Sequence, residues 1–185
     1  FVGLNNPVHL QFADTNASQL DLKAVIADEV DEYGALALLL GELGAGRGIV
    51  FCSLKDTLQK ASDFLHRKKI EHTCFYGGMD QLDREHALVQ FRNGTHRILL
   101  SSDLAARGID VNDITHVINY NLPDDNEIYT HRSGRTGRAQ KHGVSISLVN
   151  YREKSRIFQI EKVIQKKIER LPVPTGAEIC KKQLF

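Results

Sequence analysis

The sequence predicts an α/β fold in which a mostly parallel central sheet is flanked by helices. Short apolar runs rich in β-forming residues alternate with segments of helical periodicity, and this alternation is typical of a parallel sheet with crossover helices. Two runs, 48–52 and 97–101, are continuously apolar and bounded by polar residues, as expected of strands buried on both faces. The 185 residues suffice for one large domain that needs no disulfide or metal to stabilise its core.

The elements follow one another in order along the chain. Four segments repeat apolar residues at helical spacing: 35–43, 58–67, 82–91 and 152–171. Pro172 is expected to break the last of these, and a further helix is expected to start at Ala177 and continue past the end of the chain. Strands are expected at 8–12, 24–27, 48–52, 72–76, 97–101, 116–120 and 144–149.

Three parts of the chain are expected to differ in role. Residues 1–20 would form an interdomain linker or leading strand, residues 21–150 the main domain, and residues 151–185 a truncated C-terminal helical extension. The first residue is not Met, and the last helix runs to the end of the chain. We therefore interpret the sequence as a piece of a longer protein.

Composition excludes several classes of protein. A net charge of +1 argues against binding nucleic acid by bulk charge, so any such site must be local. The three cysteines, Cys52, Cys74 and Cys180, are odd in number and far apart, which predicts reduced core thiols of a cytoplasmic protein and no metal site. The chain has no apolar stretch long enough to cross a bilayer, so no membrane association is expected.

Two segments imitate nucleotide-binding motifs. The glycines at 44–48 look like a phosphate loop, but the segment leaves a helix and enters a strand, which is the reverse of a phosphate loop. We predict an ordinary helix end and turn. The apolar run 24–27 with the acids that follow looks like a metal-binding strand end, yet no phosphate loop precedes it. Acids at the start of a helix explain that pattern.

The densest chemical signal is the segment His131-Arg132-Ser133-Gly134-Arg135-Thr136-Gly137-Arg138. Arginine presents a planar fork of donors to phosphoryl oxygens and stays charged at any working pH. Glycines allow the backbone to approach a ligand closely. Taken alone, the segment could equally be a solvated basic turn.

Two further segments follow predicted strands with small and polar residues, where ligands of parallel sheets bind. Residues 101–110 read Ser-Ser-Asp-Leu-Ala-Ala-Arg-Gly-Ile-Asp, and their small side chains leave the backbone open to a ribose or phosphate. Residues 75–84 place two glycines before a helix start, with Gln81 and Arg84 one turn apart. The alternative for the second segment is an ordinary capped helix. Strand ends also direct attention to Ser53, Gly77, Asp103 and Asn121.

In this order and spacing, the segments resemble the second RecA-like domain of DEAD-box RNA helicases, from about Val8 to Val149. Residues 49–53 resemble motif IV, 77–84 motif IVa, 102–110 motif V and 131–138 motif VI. The leading His and the Thr of motif VI distinguish it from related families, DNA-directed ones included. Two residues depart from the family pattern: Ser102 replaces a usual Thr but keeps the hydroxyl, whereas Leu54 stands where motif IV often has Thr and removes that hydroxyl.

The resemblance implies a RecA-like three-layer domain and a role for ten residues. Arg135 and Arg138 would be catalytic arginine fingers on the ATP phosphates. Gly108 and Asp110 would also contact ATP, the aspartate through its ribose. The remaining positions would serve RNA or domain closure: Gly78, Gln81, Arg84 and Ser102 would bind the RNA backbone, and His131 and Arg107 would belong to the interdomain network.

The resemblance also implies partners. These are RNA, ATP with a magnesium ion held by the first domain, and the N-terminal RecA-like domain of the same protein, with this fragment monomeric. The phosphate loop and the Asp-Glu-Ala-Asp acids of the first domain do not occur here, so the fragment alone is expected to turn over negligible ATP. The alternative is a non-catalytic adaptor that binds RNA or protein, for which degenerate motif VI arginines would be the sign. The lysine pairs 166–167 and 181–182 fit either an RNA contact or a solvated helix face.

Overall fold

The structure is a computed structural model that describes residues 19–27 and 31–183, without the side chains of 181–183. The strand expected at 8–12 and most of the expected linker lie outside these residues. The helices are α1 (Glu32–Gly41), α2 (Lys55–Arg67), α3 (Gln81–Arg92), α4 (Asp103–Ala106), α5 (Asn126–Ser133), α6 (Lys154–Ile164) and α7 (Gly176–Gln183). A 3-10 turn, Tyr151–Glu153, leads into α6. The strands are β1 (Leu20–Ile26), β2 (Gly48–Phe51), β3 (Thr73–Phe75), β4 (Ile98–Ser101), β5 (His116–Asn119), β6 (Gly143–Val149) and β7 (Glu169–Pro172).

The strands form one seven-stranded sheet in the order β3-β4-β2-β5-β6-β1-β7. Every pairing is parallel; Ile49, for example, lies opposite Leu99 on one side and Val117 on the other. The predicted parallel α/β fold is therefore confirmed. Because the strands share one direction, all their carboxyl ends lie at one edge of the sheet, and the loops that begin there become neighbours.

Helices cover both faces of the sheet, as successive residues of β2 show. Val50 belongs to the core under α1 and α2, whereas Ile49 and Phe51 belong to the core under α3 and α4. A third core, under α5 and α6, includes Tyr129 and Ile160. Residues of β2 alternate between the two faces because side chains of a strand alternate with a period of two, and the result is the expected three-layer domain.

The continuous helix predicted over 152–171 was wrong in its second half. Helix α6 stops at Ile164, and Gln165 adopts a left-handed conformation (φ 54°) that ends it. The chain then forms β7, which pairs with β1 at the edge of the sheet and ends at Pro172. Glu161 stabilises this turn by accepting hydrogen bonds from the Ile168 backbone N–H (2.7 Å) and from Arg170 (2.6 and 2.9 Å).

The turn at 44–48 and the start of α1 agree with the prediction, whereas the position of one cysteine does not. The segment 44–48 is a helix end and turn, as predicted, and α1 begins behind Asp31, whose carboxylate accepts from the Tyr33 backbone N–H (3.1 Å). Cys52 is buried and Cys74 partly buried, but Cys180 is exposed on α7, so the core assignment was wrong for that cysteine. Its place in the last predicted helix carried no sign of which face it would occupy.

Within the described part of the chain, no helix is both long enough and apolar enough to cross a membrane.

Candidate functional site

Phe75 joins the loops that follow β3 and β4 at the carboxyl edge. Its carbonyl oxygen accepts from the Ser101 hydroxyl (3.1 Å) and from the Ser102 backbone N–H (3.2 Å). The Gly77–Gly78 loop therefore starts beside Ser102. Gly78 is exposed and has φ 89°, a conformation that L side chains rarely adopt, while a Cβ there would meet no atom within 4 Å. The backbone conformation, and not crowding, requires glycine at this position.

The first turn of α3 adds two side chains to this edge. The Arg84 guanidinium lies 4.8 Å from the centre of the Phe75 ring, so it is fixed over the end of β3. Gln81 is exposed at the first position of the helix, and its amide donates to Glu85 (2.9 Å). The structure thus brings Gly78, Arg84 and Ser102 together around Phe75, with Gln81 one turn before Arg84.

A buried arginine connects this edge to α5. Arg132 is 2% exposed, and its guanidinium donates to both carboxylate oxygens of Asp103 (2.5 and 2.6 Å). It also donates to Asn119 Oδ1 (3.2 Å) and to the Asn121 carbonyl oxygen (2.7 Å), and it lies 5.2 Å from the centre of the Phe51 ring. Bidentate geometry of this kind fixes both partners. The helix carrying Arg132 is thereby held to the residue after Ser102.

Sequence reasoning missed this role of Arg132. It named the arginines of 131–138 as a group and selected Arg135 and Arg138 for phosphate. The available signal was helical periodicity, which puts Arg132 on the same side of α5 as Tyr129. That side is buried, and a buried arginine requires an acid partner.

Arg135 meets the loop that follows α4. Its Nη1 donates to the carbonyl oxygen of Ile109 (3.0 Å), the residue between Gly108 and Asp110. Arg138 Nε donates to the Gly134 carbonyl oxygen (2.6 Å), which folds the side chain back over its own turn. Burial and the nearby Arg138 charge lower the pKa of Arg135. The lowering leaves a guanidinium charged at physiological pH, and two neighbouring positive charges favour an anion between them.

The turn after α5 is packed tightly enough to fix these arginines. Thr136 is buried and donates to the Ile114 carbonyl oxygen (2.5 Å). Gly137 has φ 69° and lies against Gly143, where a Cβ would overlap the Gly137 backbone nitrogen. Glycine is required at 143 because no side chain fits between the two segments.

Arg107 and His131 border the arginine site: Arg107 directly precedes Gly108, and His131 precedes Arg132 on α5. Both are exposed; Arg107 ends α4, and His131 Nε2 is 3.9 Å from Glu127 Oε1 within its own helix. Gly108 is also exposed, with φ 84° and no atom within 4 Å of a Cβ. Among the described residues, no three or more His, Cys, Asp or Glu side chains are grouped to hold a metal ion.

The chain is similar in sequence to a known protein family and to several characterised proteins. Residues 33–140 match the family described as helicase conserved C-terminal domain. The chain is 34% identical over 174 residues to the DEAD-box ATP-dependent RNA helicase RhpA of Helicobacter pylori, covering 93% of this chain and 35% of that protein. It is 33% identical over 182 residues to the ATP-dependent RNA helicase DbpA of Bacillus subtilis, covering 97% and 38%. The chain therefore spans little more than a third of these relatives.

Solved structures of DEAD-box proteins share the fold of this chain. S. cerevisiae Dbp5 bound to RNA and ADP BeF3 superposes with a TM-score of 0.77 at 29% identity, over 89% of this chain and 45% of that one. A DEAD box protein from Methanococcus jannaschii gives 0.76 at 37% identity, over 83% and 42%. An isolated C-terminal domain of Dbp5 gives 0.75 at 29% identity, over 89% and 96%.

Proposed function

Because the chain belongs to the helicase C-terminal domain family and is the C-terminal domain of a DEAD-box RNA helicase, we propose that it supplies the arginine fingers of an ATP-dependent RNA helicase. The observation that carries the proposal is the hydrogen bond from Arg135 to the Ile109 carbonyl oxygen. It brings one proposed finger to the loop of Gly108 and Asp110, with Arg138 one turn further along the chain.

In the proposed mechanism, ATP lies between this domain and a first RecA-like domain, which would hold its magnesium ion. Arg135 and Arg138 donate to phosphate oxygens and stabilise the charge that develops during phosphoryl transfer, an effect that contributes about 10³- to 10⁵-fold to the rate. Gly108, which has no side chain, lets the nucleotide approach the backbone. Asp110 accepts from a ribose hydroxyl. Two adjacent guanidinium groups suit a polyphosphate better than any neutral ligand.

RNA is proposed to bind at the carboxyl edge. Arg84, fixed over Phe75, would contact a phosphate, and Gln81, Ser102 and the Gly78 backbone would contact phosphate or sugar. Such contacts carry no base-sequence information but can read the 2′-hydroxyl that distinguishes RNA from DNA. Local duplex opening would then follow when the two domains close on one strand.

Domain closure is proposed to involve Arg107 and His131, because both side chains are exposed and can face a second domain. The chain alone, without the phosphate loop and acids of a first domain, is proposed to hydrolyse negligible ATP and to bind RNA weakly. Its partner in activity is that first domain.

RNA-stimulated ATP hydrolysis tests the proposal. The chain would be joined to the first RecA-like domain of its parent protein, and the rate measured for the parent and for Arg135→Ala and Arg138→Ala. We expect each substitution to lower the rate by about 10³-fold or more while RNA affinity stays within a few-fold. Arg92→Ala, which removes an exposed arginine at the end of α3, is the matched control and should leave the rate unchanged.

The opposite results would overturn the proposal. If the two-domain protein hydrolysed no ATP with RNA present, or if the finger substitutions acted no more strongly than Arg92→Ala, the enzyme assignment would fail. The non-catalytic adaptor would then be the better description.

A further inference from the structure

Two aromatic side chains are exposed on the outer side of α6 and the turn that leads into it. Tyr151 is 69% exposed and Phe158 is 55% exposed, although both are large apolar rings. The core-facing side of the same helix is occupied by Ile157, Ile160 and Ile164. The two rings therefore contribute little to the fold. Exposed apolar groups clustered on one face commonly mark a binding surface.

Each ring has a cation on it. The Lys154 ammonium lies 4.0 Å from the centre of the Tyr151 ring, and the Arg170 guanidinium lies 4.7 Å from the centre of the Phe158 ring. Arg170 is fixed in turn by two hydrogen bonds to Glu161, whose side chain is only 6% exposed. Phe158 therefore rests on an immobilised guanidinium while more than half of the side chain faces solvent, which makes it a preorganised stacking platform.

The surrounding charge is strongly positive. Residues 151–170 hold seven Lys or Arg against three Glu, a net charge of +4 in a chain whose total is only +1. Two of the three acids are engaged within the fold: Glu161 binds Arg170, and Glu153 accepts from the Asn150 backbone N–H (3.0 Å). Lys162 and Lys167 are exposed on this segment. The net charge of the face therefore favours an anionic ligand.

Exposed aromatics among lysines fit a nucleic acid better than a protein. Protein interfaces are enriched in aromatic residues but depleted of lysine. Proteins that bind single strands combine a positive surface with aromatic rings on which bases stack, supported by arginine cation–π contacts. We propose that the outer face of α6 is a second binding surface for single-stranded RNA, in which bases stack on Tyr151 and Phe158 while Lys162 and Lys167 contact phosphates.

The position of the face suits an RNA that also occupies the carboxyl edge. Tyr151 follows β6, so it lies at the same edge as Ser102 after β4, three strand spacings or about 14 Å away. Seven residues separate the two rings along the helical path, which is about 10 Å or about three base steps of a stacked strand. Neither ring belongs to the motifs that carry the helicase proposal, so this surface goes beyond that proposal and is tested separately from it.

Fluorescence anisotropy with labelled single-stranded oligouridylate tests the surface in the 185-residue chain. We expect Tyr151→Ala and Phe158→Ala each to weaken binding by about five- to tenfold or more. Phe158→Tyr should bind like the wild type because it keeps the ring, and Phe158→Leu should not because it keeps only apolar bulk. Val89→Ala, which shortens a 50% exposed apolar side chain on α3, is the matched control.

Two further measurements identify the contact. Lys162→Ala should lower the slope of log affinity against log salt by about 0.7, the value for one phosphate contact on a single strand. Lys60→Ala, which removes an exposed lysine on α2, should leave the slope unchanged. Crosslinking with 4-thiouridine in the oligonucleotide should modify the segment 151–158.

The outcomes separate this inference from the helicase proposal. If Arg84→Ala weakens RNA binding while the Tyr151 and Phe158 substitutions do not, the carboxyl-edge site stands and the α6 surface is refuted. Crosslinks confined to residues 77–102 would refute it as well. If the aromatic substitutions leave RNA binding intact but weaken association with a first RecA-like domain, the face binds protein and the inference is wrong.

Discussion

Replacing the Asp103 carboxylate tests the contact that joins the two halves of the candidate site. In Asp103→Asn, Arg132 keeps its acceptors on Asn119 and Asn121 but loses a bidentate charged partner while only 2% exposed. Removing one member of a buried ion pair costs about 3–5 kcal/mol. The Asp103 side chain is 29% exposed, so water can enter and offset part of this cost. We therefore expect a loss of about 2–3 kcal/mol.

Thermal unfolding followed by circular dichroism measures this loss. For a domain of this size, each kcal/mol lowers the melting temperature by about 2–4 °C, so the expected decrease is about 5–10 °C. Asp56→Asn is the control, because the Asp56–Lys60 pair is exposed on one helix face (74% and 63%) and should contribute only a few tenths of a kcal/mol. A decrease for Asp103→Asn no larger than for Asp56→Asn would refute the reasoning.

Two other predictions concern stability. Hydrogen bonds from Arg170 lower the pKa of Glu161 from 4.5 to about 2. Because the folded-state pKa is the lower one, the stabilisation is complete above pH 4.5 and is lost as the pH falls toward 2. Glu161→Gln should therefore flatten the pH dependence of the melting temperature across that interval. Gly143→Ala places a methyl on the Gly137 backbone and should cost about 2–3 kcal/mol in urea unfolding. Gly176→Ala, with no atom within 4 Å of the new methyl, should cost nothing; equal urea midpoints for the two alanine variants would contradict the packing argument.

The central strands were predictable because their burial leaves a mark on the sequence. Residues 48–51 and 98–101 are buried at every position, so both faces demand apolar or small side chains, and short uninterrupted runs result. Parallel order then places the loops after these strands at one edge. This is why the strand ends at Ser53 and Ser102 could be singled out as places where a ligand binds.

The end of α6 could not be predicted in the same way. Ile168 and Leu171 continue the helical spacing of apolar residues between charged ones, and nothing local marks Gln165 as left-handed. The contacts that end the helix join residues that a helix would not bring together. Glu161 accepts from the Ile168 backbone and from Arg170, and β7 pairs with β1, which lies near the other end of the chain. Tertiary pairing overrode local propensity here.

The roles assigned to Arg132 and Arg135 depend on the last turn of α5 and the tight turn that follows it. Arg132 is bound to Asp103, beside the proposed RNA contact Ser102, and Arg135, three residues later, reaches the loop of Gly108. A ligand that shifts the start of α4 must therefore also move or strain α5, because Asp103 is held by two short hydrogen bonds to Arg132, which is itself buried. RNA bound at the carboxyl edge would thereby bias the position of the arginines proposed to bind phosphate without touching them. In a helicase whose ATP hydrolysis depends on RNA, Asp103→Asn should accordingly weaken RNA stimulation more than it weakens RNA binding.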